Sequence, residues 1–158
     1  AALCARLRTR LDEARARSAA LRVRPRVYFE EWGEPMISGI GWVSELIEIA
    51  GGIEVFPALA AKQSAPERVV TAAEVVRAAP DIIIGSWCGK KFVPERVAAR
   101  PGFGAIPAVR DGFLREIKSA LILQPGPAAL TDGLAAIEAI VAEWAEAAHG
   151  KRGIAASG

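Results

Sequence analysis

Two short stretches gather side chains that could hold a ligand. Glu30-Glu31-Trp32 follows the run Arg26-Val27-Tyr28-Phe29, and Trp87-Cys88-Gly89-Lys90-Lys91 comes soon after the run Asp81-Ile82-Ile83-Ile84-Gly85. Carboxylates accept hydrogen bonds, ammonium groups attract anionic arms, and an indole offers a flat apolar face with one N–H donor. Each stretch lies just past a run that reads as a β-strand. Open α/β sheets bind ligands at the carboxyl ends of their strands. Two such ends, each carrying Trp and charge, suggest one wall of a binding cleft.

The same residues do not assemble a catalytic set. Neighbours on a strand point to opposite faces, so Glu30 and Glu31 cannot converge on one reacting atom. Cys88 could act as a nucleophile beside Lys90, but such a cysteine normally has a histidine partner. The one histidine, His149, lies near the C-terminus. Ser38, Ser44 and Ser86 lack an acid–histidine set. Gly39-Ile40-Gly41 precedes a helix but has Ser44 where a dinucleotide fingerprint needs glycine, and no Gly-Lys-Ser/Thr triplet occurs. No Cys, His, Asp or Glu spacing suits a metal. The expectation is a non-enzymatic binding module with no cofactor and no metal. One alternative is a Rossmann-like enzyme using Cys88 and Lys90. Another is a structural interaction domain in which Trp32, Trp42, Trp87 and Trp144 are simply core.

These residues need elements to place them. Leu3, Leu7, Leu11, Ala14 and Leu21 share one face of a helix over 2–22, which Pro25 ends. Strands are predicted over 26–30, 53–56, 81–85, 105–109 and 113–117, with a polar loop over 58–68. Helices are predicted over 41–50, 72–79 (with Thr71 as N-cap) and 94–99. The loop Gln124-Pro125-Gly126-Pro127 leads into a long helix carrying Leu130, Leu134, Ile137, Val141 and Trp144. Alternating strands and helices imply an α/β fold. The fold class expected is a Rossmann-like, mostly parallel sheet flanked by helices and preceded by a long connecting helix.

Composition sets further bounds. A chain of 158 residues with 52% hydrophobic content suits one domain with a real core. Residues 1–26 carry eight arginines against Asp12 and Glu13, a balance of +6, so the remainder carries −4 within the overall +2. That mildly acidic body gives no reason to expect nucleic acid. Cys4 and Cys88 imply no disulfide framework. No apolar run approaches the roughly 18 residues of a membrane helix.

Longer segments carry a family resemblance. RVYFEEWGEP with GWVSELIEIAGG, TAAEVVRAAPDIIIGSWCGKK, AIPAVRDGF and ILQPGPAAL together resemble the C-terminal lobe of class III substrate-binding proteins, the cobalamin and iron-siderophore type that feeds ABC importers. The resemblance covers about Arg26 to Trp144 and is nearest to the cobalamin-binding branch. It implies two α/β lobes joined by one rigid helix, with a corrinoid (cobalamin-like), haem-type or ferric-siderophore ligand between them. Residues 1–24 would be the interlobe helix, 25–150 the C-terminal lobe and 151–158 a disordered tail, with the N-terminal lobe absent and its export signal with it. Glu31, Trp32, Trp87, Lys90, Lys91 and the loop around Lys118 and Gln124 would face the cleft. The family's docking glutamate, which meets the importer's membrane subunits, would fall at Ala73, with Glu74 one residue later and about 100° further round the helix. The implied location is periplasmic or lipid-anchored outside the membrane, with cytoplasmic as the alternative. A bared lobe face on the opening helix would favour self-association.

Overall fold

A computed structural model describes residues 1–155. Helix α1 (Ala2–Ala19) leads into β1 (Arg26–Gly33), a tight turn with a cis Glu34–Pro35 bond, and β2 (Met36–Ser38). Then come α2 (Gly41–Ile49), β3 (Ile53–Glu54), α3 (Pro57–Ala60), a 3-10 turn over Ala65–Arg68, and α4 (Ala72–Ala78). The second half holds β4 (Ile82–Gly85), α5 (Pro94–Ala98), a 3-10 turn over Phe103–Ala105, α6 (Pro107–Asp111) and β5 (Leu114–Glu116). After α7 (Ser119–Ile122), a π-helical turn over Ala129–Gly133 runs into α8 (Leu134–Ala155).

The class is α/β, with β3, β1, β4 and β5 mutually parallel. β1 uses one edge twice: its start pairs with β3 and its end pairs antiparallel with β2. Its other edge pairs with β4, with Glu30 level with Gly85. β5 closes the far side and is only three residues long. Its Arg115 is tied to Glu143 of α8 at 2.6 Å, and its Glu116 to Lys118 at 2.8 Å.

Strand alternation divides the core. Val27, Phe29, Ile82 and Ile84 face α2 and α8 through Leu46, Ile47, Leu134, Ile137 and Val141. Tyr28 and Ile83 face the opposite layer of Val75, Val97, Phe103 and Ile106. Gly85 belongs to neither side chain layer for a steric reason. A Cβ there would lie 1.9 Å from Phe92 Cδ2, so only glycine lets that ring cross the strand end. α1 is braced to α8 by Arg10 and Arg17, which both bind Glu138. Its first half is uncovered, and Leu3 is about half exposed.

Some expected elements differ. Residues 105–109 are not a strand, because Pro107 fixes φ at the first turn of α6 and Gly112 (φ 76°) caps it. The short alternation of Ile106 and Ala108 fits either period. The loop expected over 58–68 contains most of α3 and a 3-10 turn, each with proline near its start. β2 had no alternating signature in three residues. α1 stops at Ala19, where Leu21 turns in beside Gly51 (φ +100°). The expected disordered tail over 151–158 is helical as far as Ala155, and Lys151 anchors that turn to Asp111 at 2.6 Å. Residues 156–158 lie outside the described residues.

β3 also buries a carboxyl group. Glu54 is only 4% exposed; one oxygen accepts from Phe56 N at 3.0 Å and the other has no partner. Burial, followed by the nearby charge of Glu48, raises its pKa to about 7, against the opposing hydrogen bonds from Phe56 and Val55. A pKa higher in the folded chain than in the unfolded one stabilises the fold at low pH. The contribution is complete below the ordinary carboxyl range and lost as pH rises through 7. It amounts to at most about 3 kcal/mol. Denaturant unfolding of the parent chain and Glu54→Gln at pH 5 and pH 8 should show the parent losing stability relative to the variant. Parallel pH profiles would refute this.

Candidate functional site

The carboxyl ends of β1 and β4 lie side by side and open into one cleft of about 710 Å³. Its working residues are Trp32, Met36, Trp87, Lys90, Arg96 and Arg100. Three local structures deliver them. The β1–β2 register slips between Glu30 and Trp32, which turns Trp32 outward, and the hairpin carries Met36 back. Beyond β4, Lys90 N bonds to Trp87 O, and Gly89 (φ 67°) makes the tight reversal that brings Lys90 over the indoles. α5 presents Arg96, and the turn that closes it, with Arg100 N bonded to Val97 O, presents Arg100.

One carboxylate organises this end of the sheet. Glu30 is fully buried. Its oxygens accept from Tyr28 Oη (2.8 Å), Trp87 Nε1 (3.1 Å), Arg100 Nη1 (2.7 Å) and Arg100 Nη2 (2.9 Å). The two-point Arg100 contact fixes both planes, as bidentate carboxylate–guanidinium pairs do. Burial acts to lower the Arg100 pKa, but the hydrogen bonds and charge of Glu30 outweigh it and hold it above the ordinary value. Burial, then the Glu30 charge, pushes Tyr28 well up, so its hydroxyl stays a donor. Arg100 Nη2 also reaches Gly33 O at 3.2 Å, joining α5 to the hairpin.

Trp87 is held on three sides. Its N–H is bound to Glu30, its ring meets Phe92 edge-on at 5.1 Å, and Cζ2 lies 2.8 Å from where a Gly33 Cβ would stand. It is 7% exposed, and that remaining face looks into the cleft. Trp32 is partly exposed and donates Nε1 to Glu34 O at 3.0 Å. Lys90 Nζ stands 5.7 Å from the Trp32 ring centre and 6.0 Å from that of Trp87.

The other expected site residues sit elsewhere. Glu31 is not in the cleft lining; it pairs with buried Arg68 at 2.9 Å and accepts from Ile40 N at 2.7 Å. Lys91 and Gln124 are exposed outside the lining, and Lys118 is engaged by Glu116. Glu74 closes a capping box with Thr71, whose backbone N–H donates to its carboxylate at 2.7 Å; that bond, then the Thr71 hydroxyl, lowers its pKa. Cys88 is exposed and does not line the cleft. Among the described residues no cluster of three or more His, Cys, Asp or Glu side chains could hold a metal. Sequence reasoning weighed Glu30 with Glu31 but assigned the cleft to Glu31, and it passed over Met36, Arg96 and Arg100. The available signals were the i, i+2 spacing of Tyr28 and Glu30 and the i, i+4 spacing of Arg96 and Arg100.

An open parallel sheet with a ligand-sized cleft at its strand ends is the architecture of an α/β binding lobe. The chain belongs to the periplasmic binding protein family, whose profile matches residues 1–121, and its fold is that of class III members. An ABC transporter substrate-binding protein from Listeria monocytogenes shares the fold with TM-score 0.73 and 17% identity, over 88% of this chain and 55% of that one. The periplasmic heme-binding protein RhuT from Roseiflexus sp. RS-1, in apo form, gives 0.67 and 22%, over 88% and 55%. The periplasmic vitamin B12 binding protein BtuF of Vibrio cholerae gives 0.63 and 20%, over 87% and 51%. This chain spans about half the length of those proteins. No curated protein sequence matches it. No helix among the described residues is long and apolar enough to cross a membrane.

Removing one partner of a buried ion pair leaves an uncompensated charge, at a cost of roughly 3–5 kcal/mol. Arg100→Ala is expected to lose about 3 kcal/mol in denaturant unfolding and to weaken the near-ultraviolet dichroism of Trp87. An unchanged midpoint with an unchanged spectrum would show that Glu30 does not depend on Arg100.

Proposed function

We propose that this chain is a ligand-capturing lobe of a binding protein that serves an ABC importer outside the cytoplasmic membrane. Its ligand is a corrinoid, a haem-type macrocycle or a ferric chelate, gripped between this lobe and a second one. The observation that carries the reading is the meeting of Trp32, Trp87 and Lys90 in one open cleft at the strand ends. Indoles supply flat apolar contact, and Lys90 with Arg96 supplies charge for anionic arms. Family membership and the ligands named for RhuT and BtuF support the same class. The exposed Leu3 of α1 fits a connecting helix whose outer stripe meets another body.

Lys91, with Lys118 and Gln124 at the two ends of α7, acts at the rim, reaching only the outer arms of a large ligand. Glu31 supports the wall from behind through Arg68 rather than by touching ligand. Glu74 faces solvent at the start of α4 and is the residue proposed to meet the importer's membrane subunits, with its carboxylate shared with Thr71. No turnover is assigned to Cys88 and Lys90, since the two do not share the cleft.

Pockets bury most of a ligand's surface, and one wall covers only part of it. Tryptophan fluorescence should therefore be quenched by haemin or cyanocobalamin with an apparent Kd weaker than about 10 μM, and Trp32→Phe should reduce the quenching. Absence of quenching by both compounds at their solubility limits would sink the proposal.

A further inference from the structure

Lys90 stands where a flat ligand would lie. Its ammonium is within cation–π range of both cleft indoles, 5.7 Å from Trp32 and 6.0 Å from Trp87. Among the described residues it has no ion pair and no side-chain hydrogen bond, so the two rings are its partners. The rest of the cleft's charge is unevenly committed. Arg100 is consumed by Glu30, Arg96 is exposed and unpaired, and Glu34 is the one acid on the lining. Lys90 is exposed, and a Cβ built on the neighbouring Gly89 would meet nothing within 4 Å, so the space beside the reversal is open and the lysine side chain can swing into solvent.

We infer that Lys90 is a charge-selecting cover on the aromatic wall, a specificity residue that rests on the ligand-capture reading above. In the empty cleft its ammonium occupies the indole faces. A planar ligand must displace it, which costs the cation–π contact. A ligand with carboxylate, sulfonate or phosphate arms restores that loss, because the displaced ammonium and Arg96 pair with those arms. A neutral or cationic planar ligand restores nothing and meets like charge. Lys90 therefore acts with opposite sign on the two ligand classes. An ordinary contact residue would act with the same sign on both.

The test uses two porphyrins of matched size: tetrakis(4-sulfonatophenyl)porphyrin, which is anionic, and tetrakis(N-methylpyridinium-4-yl)porphyrin, which is cationic. Each is titrated into the parent chain, Lys90→Ala and Lys90→Arg, with tryptophan quenching as the readout. The parent should favour the anionic ring. Lys90→Ala should weaken anionic binding about fivefold and strengthen cationic binding about threefold, while Lys90→Arg keeps the parent's order. Circular dichroism confirms that the exposed substitution leaves the fold intact. Equal shifts for both rings, or none, would overturn the cover while leaving the ligand-capture reading in place. Failure of both rings to bind a parent chain that haemin or cyanocobalamin still quenches would overturn the cover alone, whereas the ligand-capture reading falls only if haemin and cyanocobalamin fail as well.

Discussion

Burying a carboxylate at the end of a strand is tolerable only if nearly every lone pair is met, and that requirement shapes the whole cleft. Glu30 draws Tyr28 from its own strand, Trp87 from the neighbouring strand's exit and Arg100 from beyond α5. Three parts of the chain far apart in sequence are thereby held to one point. An unmet charge in such a setting is worth several kcal/mol, whereas the net gain from the pair itself is small. The network therefore contributes more to geometry than to stability. It sets the plane of the Trp87 indole and the position of the Arg100 guanidinium before any ligand arrives, and preorganisation of that kind lowers the ordering cost of binding.

Two adjacent glutamates divide the work. Glu30 points into the layer that contains Tyr28 and Ile83, while Glu31 points to the hairpin edge and takes buried Arg68. Arg68 also donates to Ser38 O, and Ser38 Oγ donates to Arg68 O. β1 is thus pinned on both faces just before it reaches the cleft. The pleat makes this possible, since the two carboxylates emerge on opposite sides and can recruit separate cations.

Where the sequence was legible, it was legible for local reasons. The three consecutive isoleucines of β4, the leucine–isoleucine stripe of α8 and the Thr71 cap of α4 each state their structure within a few residues. Trp32, Trp87 and Lys90 could be found because strand ends in a parallel sheet are where ligands meet protein. Glu30 and Glu31 could not be told apart, because choosing between them needs the face that β1 turns to its core. Arg100 was invisible for a different reason: its role depends on how the end of α5 packs over a strand 70 residues earlier in sequence, and Arg96 reaches the cleft only through that same packing. The misread segment around α6 shows the limit of periodicity over five residues, where Pro107 and Gly112 carried the better information. α8 runs on to Ala155, past the end expected at 150, and its Lys151 pairs with Asp111 across a long sequence separation that no local pattern announces.

The brevity of β5 has its own consequence. An unpaired strand edge is a template on which foreign chains can grow. Here that rim is three residues long, and both of its charged side chains are already engaged, one with a helix above and one with the next turn. An incoming strand would find few main-chain groups in register and a fence of fixed ions in its path. The opposite rim is formed by β2 and β3, three and two residues long, so little of the sheet is open to amyloid-like accretion on that side either.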